Sequence, residues 1–169
     1  MKRVVINALL AFLLMLLQTG VSASFGVMSL CHFGILAALV SASLAFPTIS
    51  STISMLVLGF LFDLWVSGPT SLYALLFVVT TLIIRGVVGK FRTERLVLIV
   101  VYAAVASAFF DFVQCLAYSL YYRDSLYWHV LSQVILGDMG WTALFAAPYM
   151  WAVLLLDRVI AKRRTGRLS

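Results

Sequence analysis

Charge is scarce in this sequence, and acid scarcest of all. Only 11% of its 169 residues are Asp, Glu, Lys or Arg, and 6 of those are acidic; soluble domains carry about 25% charged residues. With 64% hydrophobic residues and a mean hydropathy of +1.11, the chain lacks the side chains to cover a soluble core with a polar shell. An ordinary soluble globule is excluded. Cysteine is nearly absent too. Cys31 and Cys115 make no disulfide framework. A single bridge between them is sterically conceivable, but two small buried apolar residues are the better reading. The two histidines, His32 and His129, fit no metal-ligand spacing even with Cys31 beside His32, so no metal or other cofactor is expected. There is no P-loop and no glycine-rich dinucleotide motif.

Basic residues are few but sorted. Eleven of the twelve fall at three places: Lys2 and Arg3; Arg85, Lys90, Arg92 and Arg95; and Arg158, Lys162, Arg163, Arg164 and Arg167. Only Arg123 lies elsewhere. Nucleic-acid binding would want basic residues along one exposed face of a soluble structure. Here they cap apolar runs, so the net charge of +6 implies no nucleic acid as partner and points instead to anionic lipid headgroups.

A membrane crossing needs about 20 apolar residues. Six candidate spans follow, at about 4–21, 30–46, 52–66, 70–84, 96–118 and 133–156, with a basic tail over 157–169. The second ends at Pro47 and the third at Ser67-Gly68-Pro69. With the amino terminus inside, six crossings place eleven basic residues in the cytoplasm and one outside, the asymmetry that the cost of translocating Lys and Arg produces. Both termini are then cytoplasmic. The expected fold class is an all-α integral membrane protein, a single six-helix transmembrane bundle. Two alternatives stay open: the short third and fourth spans can form a re-entrant pair, and the stretch from Lys2 to Val21-Ser22-Ala23 has the pattern of a cleavable secretory signal, which would leave five spans. The Tyr- and Trp-rich segment 121–129 reads as a short interfacial helix on the outer surface. Small residues at helical spacing (Ala38 and Ala42, Ala104 and Ala108, Ala143 and Ala147) suit close helix packing.

Asp63, Asp111 and Asp138 fall within the spans, and Gln114 lies one turn from Asp111 on the same face. A carboxylate in the bilayer costs roughly 2.5–3.5 kcal/mol on insertion scales, so it normally faces the bundle interior or a wet cavity. No Lys or Arg lies at that depth to pair with these acids. Asp111, Gln114 and Asp138 are therefore expected to line a shallow polar pocket open to the outside; buried contacts that hold helices in register would explain them equally well. Catalysis fits poorly. Intramembrane aspartyl proteases use Gly-x-Gly-Asp, whereas Ile135-Leu136-Gly137-Asp138 lacks the first glycine, and both histidines are expected near the outer surface. No catalytic residue is expected.

The run from Gly59 through Asp63-Leu64, Gly68-Pro69 and Ala74-Leu75 to Phe77 resembles the signature of the rod-shape-determining MreD family, in which a glycine and an Asp-Leu pair precede Gly-Pro and an Ala-Leu run that opens the next span. The basic Arg85–Arg95 loop, Pro47, the length and the basic tail agree with that family's layout. The match is sharp only over about Gly59 to Phe77, and Ser67 and Ser71 stand where members often have glycine. The resemblance implies a non-enzymatic component of the bacterial inner membrane that supports cell elongation. Its direct partner would be MreC, a single-span protein with a periplasmic domain. Indirect partners would be MreB, RodA and RodA's penicillin-binding transpeptidase. It also implies a fold similar to the substrate-binding subunits of energy-coupling-factor transporters. Those subunits usually carry Ala-x-x-x-Ala on their first span; here Phe12 follows Ala8 and Met15 follows Ala11. From the residues themselves, Gly59 permits close helix contact, Asp63 can accept hydrogen bonds from backbone donors just beyond it, and Gly68-Pro69 makes a tight turn.

Overall fold

The computed structural model describes residues 2–25, 31–65, 71–88 and 96–165. They form six helices and no strands: α1 (Lys2–Phe25), α2 (Phe33–Ser43), α3 (Thr48–Trp65), α4 (Leu72–Val88), α5 (Leu96–Tyr122) and α6 (Leu126–Thr165). Three stretches, Lys2–Gly20, Val97–Tyr122 and Leu126–Val159, are long and apolar enough to cross a membrane; α2, α3 and α4 are shorter apolar helices. The Gly68-Pro69 turn and the Lys90–Arg95 part of the basic cluster lie outside the described residues.

The distribution of polarity is the reverse of a soluble protein's. Val5, Leu9, Leu13 and Leu17, each one turn from the next, are all more than half exposed on α1. Asn7, Ser41, Ser51, Thr81, Ser107 and Thr142 are completely buried. An apolar exterior around hydrogen-bonded polar groups is what a lipid solvent selects, because unsatisfied polar groups cannot face hydrocarbon. The chain is in this respect compatible with a membrane protein.

At the centre stands α2. It is 11 residues long, and its residues Phe33 to Ser41 are all buried. It touches each of the other five helices. The helix is shorter than the apolar run that contains it, and both ends explain why. At the C-terminus Ala45 adopts φ 51°, Phe46 N–H donates to the Ser41 carbonyl (2.9 Å) and Ala45 N–H to that of Ala42 (3.1 Å), the paired bonds of a Schellman cap. Arg85 at the end of α4 donates to the Phe46 carbonyl. At the N-terminus the chain leaves the helix at His32, for reasons given below. A left-handed alanine costs about 1 kcal/mol that glycine does not. Ala45→Gly is therefore expected to raise the thermal midpoint of the purified protein by a few degrees; a lowered midpoint would contradict the cap.

The helices alternate in direction. Arg3 pairs with Asp157 (2.7 Å) and Arg85 meets Phe46, which gathers the start of α1, the ends of α2 and α4 and the late part of α6 at one end. That basic end also carries Arg158. At the opposite end the Gln18 amide faces both backbone polar groups of Cys31, Asp63 reaches the start of α4, and Arg123 turns α5 into α6. The segment 121–129 is thus no separate interfacial helix. Tyr121 and Tyr122 end α5, Arg123 turns with φ 54°, and α6 starts at Leu126. Aromatic residues of α5 and α6 cluster at this tip: Tyr118, Tyr122 and Tyr127 pack ring on ring, and Trp128 meets Phe112.

The seam of the α5–α6 hairpin is built from Ala103 and Ser107 against Thr142 and Ala146, all buried. These are neighbours of two of the alanine pairs singled out in the sequence; Ala104, Ala108, Ala143 and Ala147 are only partly buried, whereas Ala38 of the third pair is buried in α2. Four-residue spacing reveals a small-residue face but not which of two adjacent stripes meets the partner. Cys31 and Cys115 are buried free thiols.

Candidate functional site

His32 is the residue that ends α2 at its N-terminus. Its backbone N–H donates to Thr142 Oγ1 (3.0 Å), and the Thr142 hydroxyl donates in turn to Ser107 Oγ (3.3 Å). Those bonds anchor the residue to the α5–α6 hairpin. Its ring lies tilted against Phe110, 5.1 Å between centroids. Nε2 is then 2.6 Å from Asp111 Oδ1 and 4.0 Å from Asp138 Oδ2. One proton must lie between Nε2 and Asp111 at that distance, on the imidazole or on the acid. Both carboxylates are more than nine-tenths buried. Asp111 Oδ2 has no hydrogen-bond partner among the described residues, although it is sealed from solvent.

The two histidines have different surroundings. His129 is exposed, with Gln133 3.1 Å from its Nε2, but His32 is carried inward to the acids. The imidazole of His32 is thus a neighbour of both acids. The His32–Asp111–Asp138 set joins residues on three elements, and one ligand atom from each lies within 4.8 Å of the others. Sequence spacing around His32 gives no sign of it.

Asp111, Gln114 and Asp138 line one cavity of about 230 Å³, together with His32, Tyr118 and Tyr127. It opens between α5 and α6 near the aromatic tip. A second, smaller cavity of about 90 Å³ lies on the other side of His32 and Gln114, walled by Tyr73, Phe77 and Phe110. Gln114 donates to the Tyr73 hydroxyl (2.7 Å) and so stands between the two spaces. Asp63 is not part of this cluster. It has a different task, at the joint between α3 and α4.

At that joint Asp63 accepts two hydrogen bonds, from Tyr73 N–H to Oδ1 (2.9 Å) and from Ala74 N–H to Oδ2 (3.1 Å). These are two of the N–H groups that a helix start leaves without partners, and a carboxylate there also meets the positive end of the helix dipole. One turn earlier on α3, Gly59 lies directly on the α4 backbone: a Cβ added there would fall on Ala74 Cα and 2.7 Å from the Tyr73 carbonyl oxygen. Phe62 closes the joint, edge-on to Tyr73 (4.8 Å).

The cluster can do three things chemically: hold a proton between an imidazole and a carboxylate, bind a cation, or fix α2 to the hairpin. The nearby Thr142 hydroxyl meets the His32 backbone rather than its ring. No protein-family model, curated protein or solved structure matches the chain.

Proposed function

We propose that this chain is a non-enzymatic scaffold of the bacterial inner membrane, of the MreD type, that crosses the bilayer six times with both termini in the cytoplasm and docks MreC within the cell-elongation complex. The observation that supports this reading most is the α3–α4 joint. The two residues that anchor the MreD-like run, Gly59 and Asp63, both act there: one removes the side chain that would keep the helices apart, the other caps α4. They serve a rigid hairpin and not a reaction centre, as a scaffold requires. The basic end, with Arg3, Arg85 and Arg158, is the cytoplasmic one in this reading.

A groove of about 260 Å³ between α1 and α3, floored by Ala8 and Ser54 and walled by Leu9 and Val57, is the face on which a single-span partner could approach closely. Affinity purification of the tagged protein from a rod-shaped bacterium is expected to recover MreC, and photocrosslinkers at Leu9 and Val57 to trap it. Recovery of no MreC under either protocol would overturn the reading.

The cavity beneath the aromatic tip favours a second reading, the solute-binding subunit of an energy-coupling-factor-type transporter. That alternative shares the bundle architecture and needs an outward binding space. Saturable binding of a vitamin to the purified protein would select it over the scaffold.

A further inference from the structure

We propose that His32, Asp111 and Asp138 bind one divalent transition-metal ion whose remaining coordination positions open into the cavity between α5 and α6. This goes beyond both readings above and depends on neither, since an ion at this place would fasten α2 to the hairpin whatever the protein's partners are.

An unused donor atom is the first argument. Asp111 lines the cavity, and its Oδ2 is buried with no hydrogen-bond partner among the described residues; buried carboxylate oxygens ordinarily have partners.

Geometry is the second. Ligands bound at about 2.0–2.2 Å from an ion stand about 3–4 Å apart. The three donor atoms here lie within 4.8 Å of one another, with the closest pair at 2.6 Å. A small opening of the His32–Asp111 pair and a small approach by Asp138 would enclose an ion, without a change of fold. Support behind the ligands is the third argument. Thr142 fixes the His32 backbone, and Ser107 accepts from Thr142, so the residue that carries the imidazole is anchored to the hairpin that carries both acids.

The donor set defines the class of ion. One imidazole nitrogen with two carboxylates suits Zn²⁺, Fe²⁺, Mn²⁺ or Co²⁺ better than Mg²⁺ or Ca²⁺, which prefer all-oxygen sites. Three protein ligands leave room for water or a solute group, and Gln114 and Tyr127 line the space where it would sit.

The test uses the full chain in detergent, stripped with a chelator and then titrated with Co²⁺. The expected result is one cobalt per chain, with ligand-field absorption in the visible. Asp111→Asn and Asp138→Asn should each weaken binding by about tenfold or more, while His129→Ala, on the exposed histidine nearby, leaves it unchanged. Thermal unfolding of the metal-free variants shows that they are folded; should Asp111→Asn fail to fold, Asp138→Asn decides, because it keeps the His32–Asp111 contact. Binding below one ion per chain, binding insensitive to Asp138→Asn, or binding lost in His129→Ala would overturn the proposal.

Discussion

Gly59→Leu is expected to force α3 and α4 apart and to give the largest loss of stability of any single change at the joint. The atoms that the new side chain would meet are the Ala74 Cα and N and the Tyr73 carbonyl. Backbone atoms cannot rotate away as a side-chain tip can. Overpacking costs about 1–3 kcal/mol where side chains can adjust, and more where they cannot. We expect about 3 kcal/mol or more here, which corresponds to a fall of about 6–12 °C in thermal midpoint for a chain of this size. Separation of the helices also draws Asp63 away from Tyr73 and Ala74, so part of the cap is lost with the packing. Gly59→Ala should show the same effect at reduced size. Unfolding of the purified protein followed by tryptophan fluorescence would measure both, and an unchanged midpoint for the leucine variant would refute the close approach.

Asp63→Ala should cost about 2–4 kcal/mol. It leaves two N–H groups at the start of α4 without acceptors, and hydrogen bonds to a charged group are each worth about 1.5–3 kcal/mol. Asp63 is only half-buried, so water replaces part of the loss. Asp63→Asn separates charge from hydrogen bonding. It retains one acceptor oxygen but turns an NH₂ toward the second donor, so a loss of about half the alanine effect is expected. If Asn were as stable as Asp, the second hydrogen bond and the charge would both be irrelevant. Because Gly59 and Asp63 act on one joint, the double variant Gly59→Leu/Asp63→Ala should lose less than the two single losses together. In cells, the scaffold reading expects the destabilised joint to cost rod shape; unaltered shape in Gly59→Leu at normal protein level would separate the joint from function.

How far the sequence predicted these features depended on the range of the interactions. Apolar runs, turns and caps are local, and Pro47, Gly59 and Asp63 could be placed from their neighbours alone. The α5–α6 hairpin was partly legible as well. Asp111 and Asp138 stand at equal sequence distances on either side of the step from Asp124 to Ser125, and Ser107 and Thr142 do the same one turn further away. A tight helical turn at Arg123 therefore forces each pair to face the other. That signal was present but needs the turn to be located, and the aromatic segment looked like an interfacial helix instead. His32 was not legible. Its position depends on the hub helix α2 stopping short, and that stop is set by Thr142, more than a hundred residues away. Neither hydropathy nor ligand spacing carries such information. The shortness of α2 was hidden for the same reason: a helix sheathed on all sides by protein need not match the thickness of the bilayer.

The scaffold and transporter readings both require the bundle to sit with its basic end in the cytoplasm and its aromatic tip and cavity outside. Labelling of intact cells with a membrane-impermeant maleimide tests this directly, in a background with Cys31 and Cys115 replaced by alanine. Arg123→Cys at the turn between α5 and α6 is predicted to be labelled at once, and Arg158→Cys only after the membrane is permeabilised. Labelling of Arg158→Cys in intact cells, with Arg123→Cys protected, would contradict the account.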